Sequence, residues 1–374
     1  MSKIILYNRV LLLLILGIYN VIDINAQENK TYTSLNEAFA QPEKVYKLVI
    51  ESSTNLTEVP PEVGSLINLR LLVIVNSKIE GLPIQIGELK NLKRLYLHDN
   101  KITSLPSEIG NLKRLKFLHL GNNRLVNLPS QIGKLKKLEE LHLSDNKLIT
   151  LTKKIGNFKH LKELYLGDNK LETFPPAIEK LKNLTWLDLG NNKINSLPSK
   201  IEKLSNLEML VLTNNELKTL PAEIENLKKL ECIYLNNNQL EYLPLEFGKL
   251  SNLVWIFLSY NKLISLPNTI DNLDSLTLLR VDHNQLKNVP DEICSLSKLR
   301  ELELSSNQLK SIPANIGDLK ELKKLHLSNN KLNNIPQSIN KLSNLSSLSL
   351  RGNNLSNIDK KNIERLLPRC KLYF

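Results

Sequence analysis

The chain has 374 residues, of which 41% are hydrophobic and 24% charged, with a formal net charge of +12 and a pI near 9.3. A chain of this length ordinarily forms two or more domains, unless it is built from stacked repeats that need no such division. Its three cysteines, Cys232, Cys294 and Cys370, are an odd number and lie far apart in the sequence, which excludes terminal caps stapled by disulfides.

Residues 1–26 have the layout of a secretory signal peptide. Lys3 and Arg9 precede an apolar run over residues 10–18, and Ala26 offers a small-residue cleavage point before Gln27. The run is short for a membrane-spanning helix, and an uncleaved N-terminal anchor is the alternative interpretation. We therefore expect a secreted or cell-surface protein, or a cytoplasmic one if this segment is not a signal.

Residues 27–45 predict an N-terminal cap. Ser34 and Glu37 have the spacing of a capping box at the start of a short helix, which Pro42 would end. Such a helix can cover the open end of a stack of repeats. The first repeat is irregular and the second has Ser77 where later repeats have asparagine, as expected of terminal units.

Residues 46–358 repeat one pattern every 23 residues. Over residues 92–113 the apolar positions are Leu92, Leu95, Leu97, Ile102, Leu105, Ile109 and Leu112, and a shift of 23 residues gives the same pattern. One position holds asparagine in twelve successive repeats: Asn100, Asn123, Asn146, Asn169, Asn192, Asn215, Asn238, Asn261, Asn284, Asn307, Asn330 and Asn353. The sequence therefore predicts a stack of about fourteen units.

Each unit predicts a short strand, a buried turn and a helical turn. Residues 95–97 alternate apolar and polar side chains, which favours a half-buried strand. The asparagine follows where the chain turns inward, and a carboxamide both donates and accepts hydrogen bonds, so we expect a structural ladder that bonds backbone above and below each asparagine. Proline then suits the first position of a helical turn, and Thr152 replaces it in one repeat.

A single unit cannot bury enough apolar surface to fold alone, so the units must stack with their strands in one parallel sheet. The pattern LxxLxLxxNxLxxLPxxIGxLxx resembles the leucine-rich repeat superfamily, in particular the 23-residue class of Scribble, Erbin, Ras-suppressor-type proteins and secreted bacterial proteins. The resemblance implies an α/β solenoid: a curved horseshoe with a parallel sheet on its concave face, short helical or 3-10 turns on its convex face, and protein recognition on the sheet.

Residues 359–374 predict a C-terminal cap. Asp359 is expected to cap a helix that buries Ile363 and ends before Pro368, and residues 370–374 can add a last strand to the sheet.

The sequence gives no basis for an enzyme, a cofactor or a metal site. No nucleophile elbow, HExxH, Walker loop or GxGxxG pattern occurs. His119 and His142 fall at equivalent places in adjacent units, but they lack a third ligand, so we interpret them as exposed polar residues. The nearby acidic residues are interpreted as a solvated patch: Glu139, Glu140, Asp145, Glu163 and Asp168.

The positive charge raises nucleic acid, a membrane surface or an anionic glycan such as lipopolysaccharide as partners. The lysines recur along the edges of the units with acidic residues between them, whereas nucleic-acid recognition needs a concentrated basic stripe with aromatic residues. We therefore expect no nucleic-acid partner and keep an anionic glycan as an alternative.

Two outward-facing positions of the strand vary among repeats, and both become apolar in the same region of the chain. Strand alternation places these side chains on the concave face, where an apolar patch with a polar rim usually marks an interface. The alternative is that they pack against one another and only rigidify the sheet. The candidate partner-binding residues are Trp186, Met209, Val211, Tyr234, Trp255, Phe257, Tyr260 and Arg280.

The sequence thus predicts a non-enzymatic protein-binding module that is secreted or exposed at the surface. A binder of envelope glycan or lipopolysaccharide is one alternative, and an intracellular scaffold for small GTPases, implied by the resemblance alone, is another. Self-association through the apolar patch also remains open.

Overall fold

A computed structural model describes residues 30–53 and 55–374. The signal-peptide prediction for residues 1–26 lies outside the described residues. In the described part of the chain, no helix is both long and apolar enough to cross a membrane.

The fold is a solenoid built on one parallel sheet of sixteen strands, arranged in the order of the sequence. The fold-class prediction is confirmed. The strands are β1 Thr31–Tyr32, β2 Lys47–Glu51, β3 Leu71–Val75, β4 Arg94–Tyr96, β5 Phe117–His119, β6 Glu140–His142, β7 Glu163–Tyr165, β8 Trp186–Asp188, β9 Met209–Val211, β10 Cys232–Tyr234, β11 Trp255–Phe257, β12 Leu278–Arg280, β13 Glu301–Glu303, β14 Lys324–His326, β15 Ser347–Ser349 and β16 Lys371–Tyr373.

Within residues 30–53 and 55–374, two α-helices flank the repeats, and 3-10 turns form the convex side. The helices are α1 Leu35–Ala40 and α2 Asn357–Leu366. The 3-10 segments are Pro42–Lys44, Pro61–Ser65, Ile84–Glu88, Ser107–Asn111, Ser130–Lys134, Lys153–Asn157, Ile178–Lys180, Ser199–Lys203, Ala222–Asn226, Leu245–Lys249, Asn268–Asn272, Asp291–Ser295, Ile316–Asp318 and Gln337–Lys341.

The register follows the 23-residue period, because each strand residue pairs with its equivalent in the next coil. Leu95 pairs with Leu118, for example, and both side chains are fully buried. The extra residue in the first repeat appears as a 24-residue offset, with Lys47 paired to Leu71. The leucines and isoleucines of all coils form one continuous core between the sheet and the 3-10 turns.

The asparagine ladder is present, but its bonds run in one direction. Asn123 Nδ2 donates to the carbonyls of Leu120 and Gly121 in its own coil and to that of Leu97 in the preceding coil. Its Oδ1 accepts the N–H of Ile102, also in the preceding coil, at 2.9 Å. The expectation of bonds to the coils above and below was therefore wrong. The reason is that the turn places the carboxamide beside the previous coil's backbone.

The prolines and the C-terminal cap also differ from the prediction. Pro106 precedes its 3-10 segment as an extended N-cap residue (ψ 152°), and its carbonyl accepts the N–H of Ile109 at 3.1 Å. At the C-terminal end Ser356, rather than Asp359, is the N-cap of α2. Asp359 completes the capping box, because its carboxylate accepts the N–H of Ser356 at 2.9 Å.

The coils approach one another closely at their 3-10 turns. A Cβ at Gly248 would lie 2.1 Å from the backbone carbonyl oxygen of Thr269 in the next coil, so only glycine fits there. The cysteines Cys232, Cys294 and Cys370 are all free thiols.

Candidate functional site

Seven of the eight candidate residues lie in two adjoining columns on the concave face, and Tyr260 lies just beyond the end of β11. Strands β8 to β12 pair in register, so Trp186, Met209, Cys232, Trp255 and Leu278 form one column of neighbours. The central residue of each of these strands lies between the two columns, points into the core and is fully buried: Leu187, Leu210, Ile233, Ile256 and Leu279. Both tryptophans therefore face away from the leucine core, on the same side of the sheet.

These residues differ in how much surface they offer. Trp255 is 37% exposed and Tyr260 is 52% exposed, whereas Trp186, Met209, Tyr234 and Phe257 are half-buried. We call these six residues the aromatic surface. Val211, predicted with them, is only 4% exposed and so offers little surface to a partner.

The middle of the aromatic surface is held rigid by ring stacking. The rings of Tyr234 and Phe257 are parallel, with centroids 4.4 Å apart. The guanidinium carbon of Arg280 lies 5.8 Å from the centroid of Phe257, and an Nη of Arg280 lies 2.7 Å from a carboxylate oxygen of Glu301. Because these rings are already ordered, little conformational entropy is lost when a partner packs on them.

A second stacked pair, which the sequence analysis did not find, lies where the strands end. Tyr260 and His283 have centroids 4.1 Å apart, and Nδ1 of His283 lies 2.8 Å from a carboxylate oxygen of Asp282. Both residues have left-handed backbone conformation, with φ of 58° and 54°. A bulky residue is an outlier there, and such outliers concentrate at functional sites.

The signal for this pair was present in the sequence. The same left-handed position holds asparagine or aspartate in eight successive coils from Asn76 to Asn237, and then changes to Tyr260, His283 and Ser306. Asparagine and aspartate tolerate this conformation best. A column of this composition that switches to tyrosine therefore marks a departure from what the fold itself favours.

Toward the N-terminus a row of rings continues along five coils. The rings of Tyr96, His119, His142, Tyr165 and Trp186 follow one another with centroid distances of 4.5, 5.6, 4.9 and 5.9 Å. The interpretation of both histidines as exposed polar residues was wrong, since His119 is only 3% exposed and His142 is half-buried. The flanking rings cover both imidazoles.

Contacts with a carboxylate and with neighbouring rings surround the two histidines of this row. Nε2 of His119 lies 2.7 Å from a carboxylate oxygen of Glu140. Burial, followed by the nearby His119 and His98, lowers the pKa of His142 to about 3, so its imidazole is neutral. Within residues 30–53 and 55–374, no group of three or more histidine, cysteine or acidic side chains is arranged to hold a metal ion.

An apolar cluster continues the concave face at its N-terminal end. Leu71, Val73, Val75 and Tyr96 bury one another there, with Val49 and Phe117 packed against them. The concave side chains here are largely buried by one another, so this region offers little apolar surface to a partner.

Asp188 lies beside the aromatic surface in a recess made by two glycines. A Cβ at Gly167 or Gly190 would come within 3.2 Å of its carboxylate oxygens, and the Gly190 N–H donates to one of them at 2.8 Å. Burial raises the pKa of this carboxyl to about 6. Burial also raises the pKa of Glu163, whose carboxylate accepts a hydrogen bond from the Tyr165 hydroxyl at 2.7 Å.

A shallow depression of about 370 Å³ adjoins the N-terminal ends of strands β6 to β10. Its lining is polar and holds no nucleophile paired with a base. The lining residues are Glu139, His160, Lys162, Asn183, Thr185, Asn206, Glu208 and Lys229.

Comparison with known proteins places the chain in a family. A family model described as "Leucine-rich repeat region" matches residues 57–153 and 207–305. The chain belongs to the leucine-rich repeat family. Two further models of this family, "Leucine rich repeat" and "Leucine Rich repeats (2 copies)", match residues 136–194, 297–355 and 182–222. A search of curated proteins found no match to this leucine-rich repeat chain.

Solved structures of other leucine-rich repeat proteins are similar to it. The LRR protein LIC12759 of Leptospira interrogans is 35% identical, with a TM-score of 0.74 over 92% of this chain and 100% of that one. The plant peptide hormone receptor RGFR1, solved in complex with RGF2, is 29% identical, with a TM-score of 0.71 over 87% of this chain and 58% of that one. An internalin of Listeria monocytogenes shares the fold at 24% identity and a TM-score of 0.68, over 97% of this chain and 93% of that one.

Proposed function

We propose that this leucine-rich repeat protein is a non-enzymatic protein-binding module, secreted or exposed at the cell surface, whose partner docks on the aromatic surface. The observation that carries the proposal is the exposure of Trp255 and Tyr260 beside stacked, half-buried rings. Tryptophan and tyrosine are the residues that most often dominate binding energy at interfaces, especially where the surrounding surface is ordered.

The relatives support this class of function. Among the similar solved structures, RGFR1 is a receptor in complex with RGF2. The outward strand positions vary between coils, whereas the leucine positions are nearly constant, so the sheet face has the variation that recognition of a specific partner requires. Export rests on the pattern of residues 1–26, and sequencing the N-terminus of the mature protein tests it, with Gln27 expected close to the new terminus.

A glycan partner is less well supported on this surface. Exposed aromatic rings can stack on sugars, but carboxylates surround Trp186 on the concave face, and they repel an anionic glycan or lipopolysaccharide. An intracellular scaffold for small GTPases requires that residues 1–26 are not a signal, and no contact in the described residues specifically favours it.

The test compares capture of proteins from the extracellular medium by four immobilised forms of the chain. The wild type, Trp255→Ala and Trp186→Ala/Trp255→Ala probe the aromatic surface. Tyr242→Ala is the matched control, because Tyr242 is 53% exposed but lies outside the sheet. We expect a partner that the wild type and the control retain and that both tryptophan variants lose.

The stability of the variants separates binding from folding. Since Trp255 is partly exposed, Trp255→Ala is expected to change the free energy of unfolding by no more than about 1 kcal/mol. A partner captured equally by all four forms would refute the assignment of this surface. A large loss of stability in Trp255→Ala would show that the ring is structural.

A further inference from the structure

Although the chain has a net charge of +12, the middle of its concave face is negatively charged. From β6 to β11, the residue before each strand, the outward positions of the strand and those of the turn that follows it carry eight carboxylates and one lysine, Lys162, a formal charge of −7. The carboxylates belong to Glu139, Glu140, Asp145, Glu163, Asp168, Asp188, Glu208 and Glu231. We call them the acidic band.

Apart from Lys162, the basic residues at these positions lie toward the two ends of the same face. Arg70, Lys93, Arg94 and Lys116 lie before the band, and Arg280, Arg300, Lys323, Lys324 and Arg351 lie after it. The aromatic surface overlaps the acidic band from Trp186 to Tyr234, and Trp255 and Tyr260 extend it in the C-terminal direction. A partner that covers the aromatic surface therefore also meets the acidic band.

Most carboxylates of the acidic band form no ion pair with lysine or arginine in the described residues. Glu139 lies 2.7 Å from the ammonium group of Lys116, and Glu140 contacts His119. Among the described residues, none of the other six carboxylates forms an ion pair with lysine or arginine. Three of these six accept hydrogen bonds from neutral donors: Glu163 from the Tyr165 hydroxyl, Asp168 from the Asn191 amide and Asp188 from the Gly190 N–H.

The carboxylates of the band also disfavour one another's charge. Burial raises the pKa of the Asp145 carboxyl first, and the neighbouring charges of Asp168 and Asp99 raise it further. A cation that binds between these groups would relieve this repulsion, and the energy gained would add to the affinity.

We propose that the concave face binds an extended segment of a protein partner in which lysine or arginine residues alternate with aromatic or aliphatic ones. This inference rests on the proposed function and specifies the chemistry of the partner. The cationic groups face the acidic band while the apolar side chains pack on Trp186, Met209 and Trp255. Charge complementarity is what selects this partner over an anionic polymer or a neutral apolar peptide.

The dimensions of the surface set the length of the segment. Five strand-to-strand steps separate Glu140 from Trp255, so the surface spans about 24 Å at about 4.8 Å per step. An extended chain covers this distance with about seven or eight residues at about 3.3 Å each.

The experiment uses three fluorescent peptides of about eight residues, in which tryptophan and leucine alternate with lysine, serine or glutamate. Fluorescence anisotropy measures their affinity for the full-length mature protein. We expect the lysine peptide to bind most tightly and to weaken as salt rises, because the Debye length falls from about 10 Å at 0.1 M to about 3 Å at 1 M. Glu163→Gln/Asp168→Asn should weaken it by about two- to fivefold per carboxylate removed.

The control carries the same change of charge on the convex side. Glu223→Gln/Glu246→Gln alters two carboxylates of the 3-10 turns and should leave the affinity for the lysine peptide unchanged. Equal effects of the two double variants would show nonspecific attraction and overturn the inference, and so would a lysine peptide that does not bind.

Two other outcomes separate this inference from the proposed function. If the serine and lysine peptides bind equally and Trp255→Ala abolishes both, the aromatic surface is an interface but the preference for cations is wrong. If sedimentation shows a dimer that excludes the lysine peptide, a second copy of the chain occupies the surface and the inference fails.

Discussion

The ladder asparagines make a quantitative prediction about stability. Asn238 is buried, and its Nδ2 donates to the carbonyls of Leu212, Leu235 and Asn236 at 2.9, 3.0 and 3.3 Å. Its Oδ1 accepts the N–H of Leu217 at 3.0 Å. Asn238→Ala removes all four bonds and leaves a buried backbone N–H without an acceptor.

The magnitude follows from these contacts. The two shorter bonds to carbonyls contribute about 1 kcal/mol each, and the orphaned N–H of Leu217 costs about 1–3 kcal/mol. We therefore expect Asn238→Ala to lower the free energy of unfolding by about 3–5 kcal/mol. Asn238→Asp should lower it at least as much, because a carboxylate cannot donate and would face three carbonyl oxygens.

Urea denaturation followed by circular dichroism measures this loss. Asn252→Ala is the matched control, since Asn252 is exposed and makes a single bond, to the carbonyl of Lys228 at 2.7 Å. The control is expected to lose no more than about 1 kcal/mol. If Asn238→Ala lost no more than the control, the ladder would be a by-product of the fold and this argument would be refuted.

Three further predictions concern packing, pH and thiols. Gly248→Ala should lower the melting temperature markedly, because the added Cβ would clash with the backbone of Thr269 in the next coil. Gly81→Ala is the control, since no atom beyond its neighbours in the chain lies within 4 Å of a Cβ at Gly81, and it should have little effect. Equal effects of the two variants in a thermal scan would contradict the close contact at Gly248. The pKa of Asp188 is raised to about 6 in the fold from about 3.8, so its contribution to stability is present at low pH and is lost as pH rises from about 4 to 6. Asp188→Asn should therefore raise the melting temperature at pH 7 more than at pH 4, and a uniform shift would disprove the cause. In the native protein a thiol reagent should react with half-buried Cys370 before Cys232, because Cys232 is 1% exposed and burial raises its pKa to about 12. All three thiols should react after unfolding. Rapid reaction of Cys232 in the native protein would contradict its burial.

The sequence predicted the parts of this fold that the period controls. Positions such as Leu95 and Leu118 must be apolar in every coil, so their repetition gives the strand, the register and the core together. The two outward columns followed from strand alternation, which placed both tryptophans on the concave face.

Features that depend on contacts between particular side chains were not predictable in this way. The burial of His119 results from rings on neighbouring coils, which a single column of the repeat does not reveal. The stacking of Tyr260 on His283 depends on left-handed backbone conformations. Similarly, whether Ser356 or Asp359 is the N-cap depends on the residue at which the last coil ends and α2 begins.

The one-way bonding of the asparagines makes the two ends of the solenoid unequal. Each carboxamide, from Asn100 to Asn353, grips the coil before it. Removing coils from the C-terminus would therefore leave a buried backbone N–H of the new last coil without an acceptor. The N–H of Leu332, for example, would lose Oδ1 of Asn353. Among the bonds of the ladder itself, removing coils from the N-terminus frees only the carboxamide of the new first coil, which can rotate toward water. We therefore expect a truncation that removes coils from the N-terminus to lower the stability of the remaining solenoid less than one that removes the same number from the C-terminus.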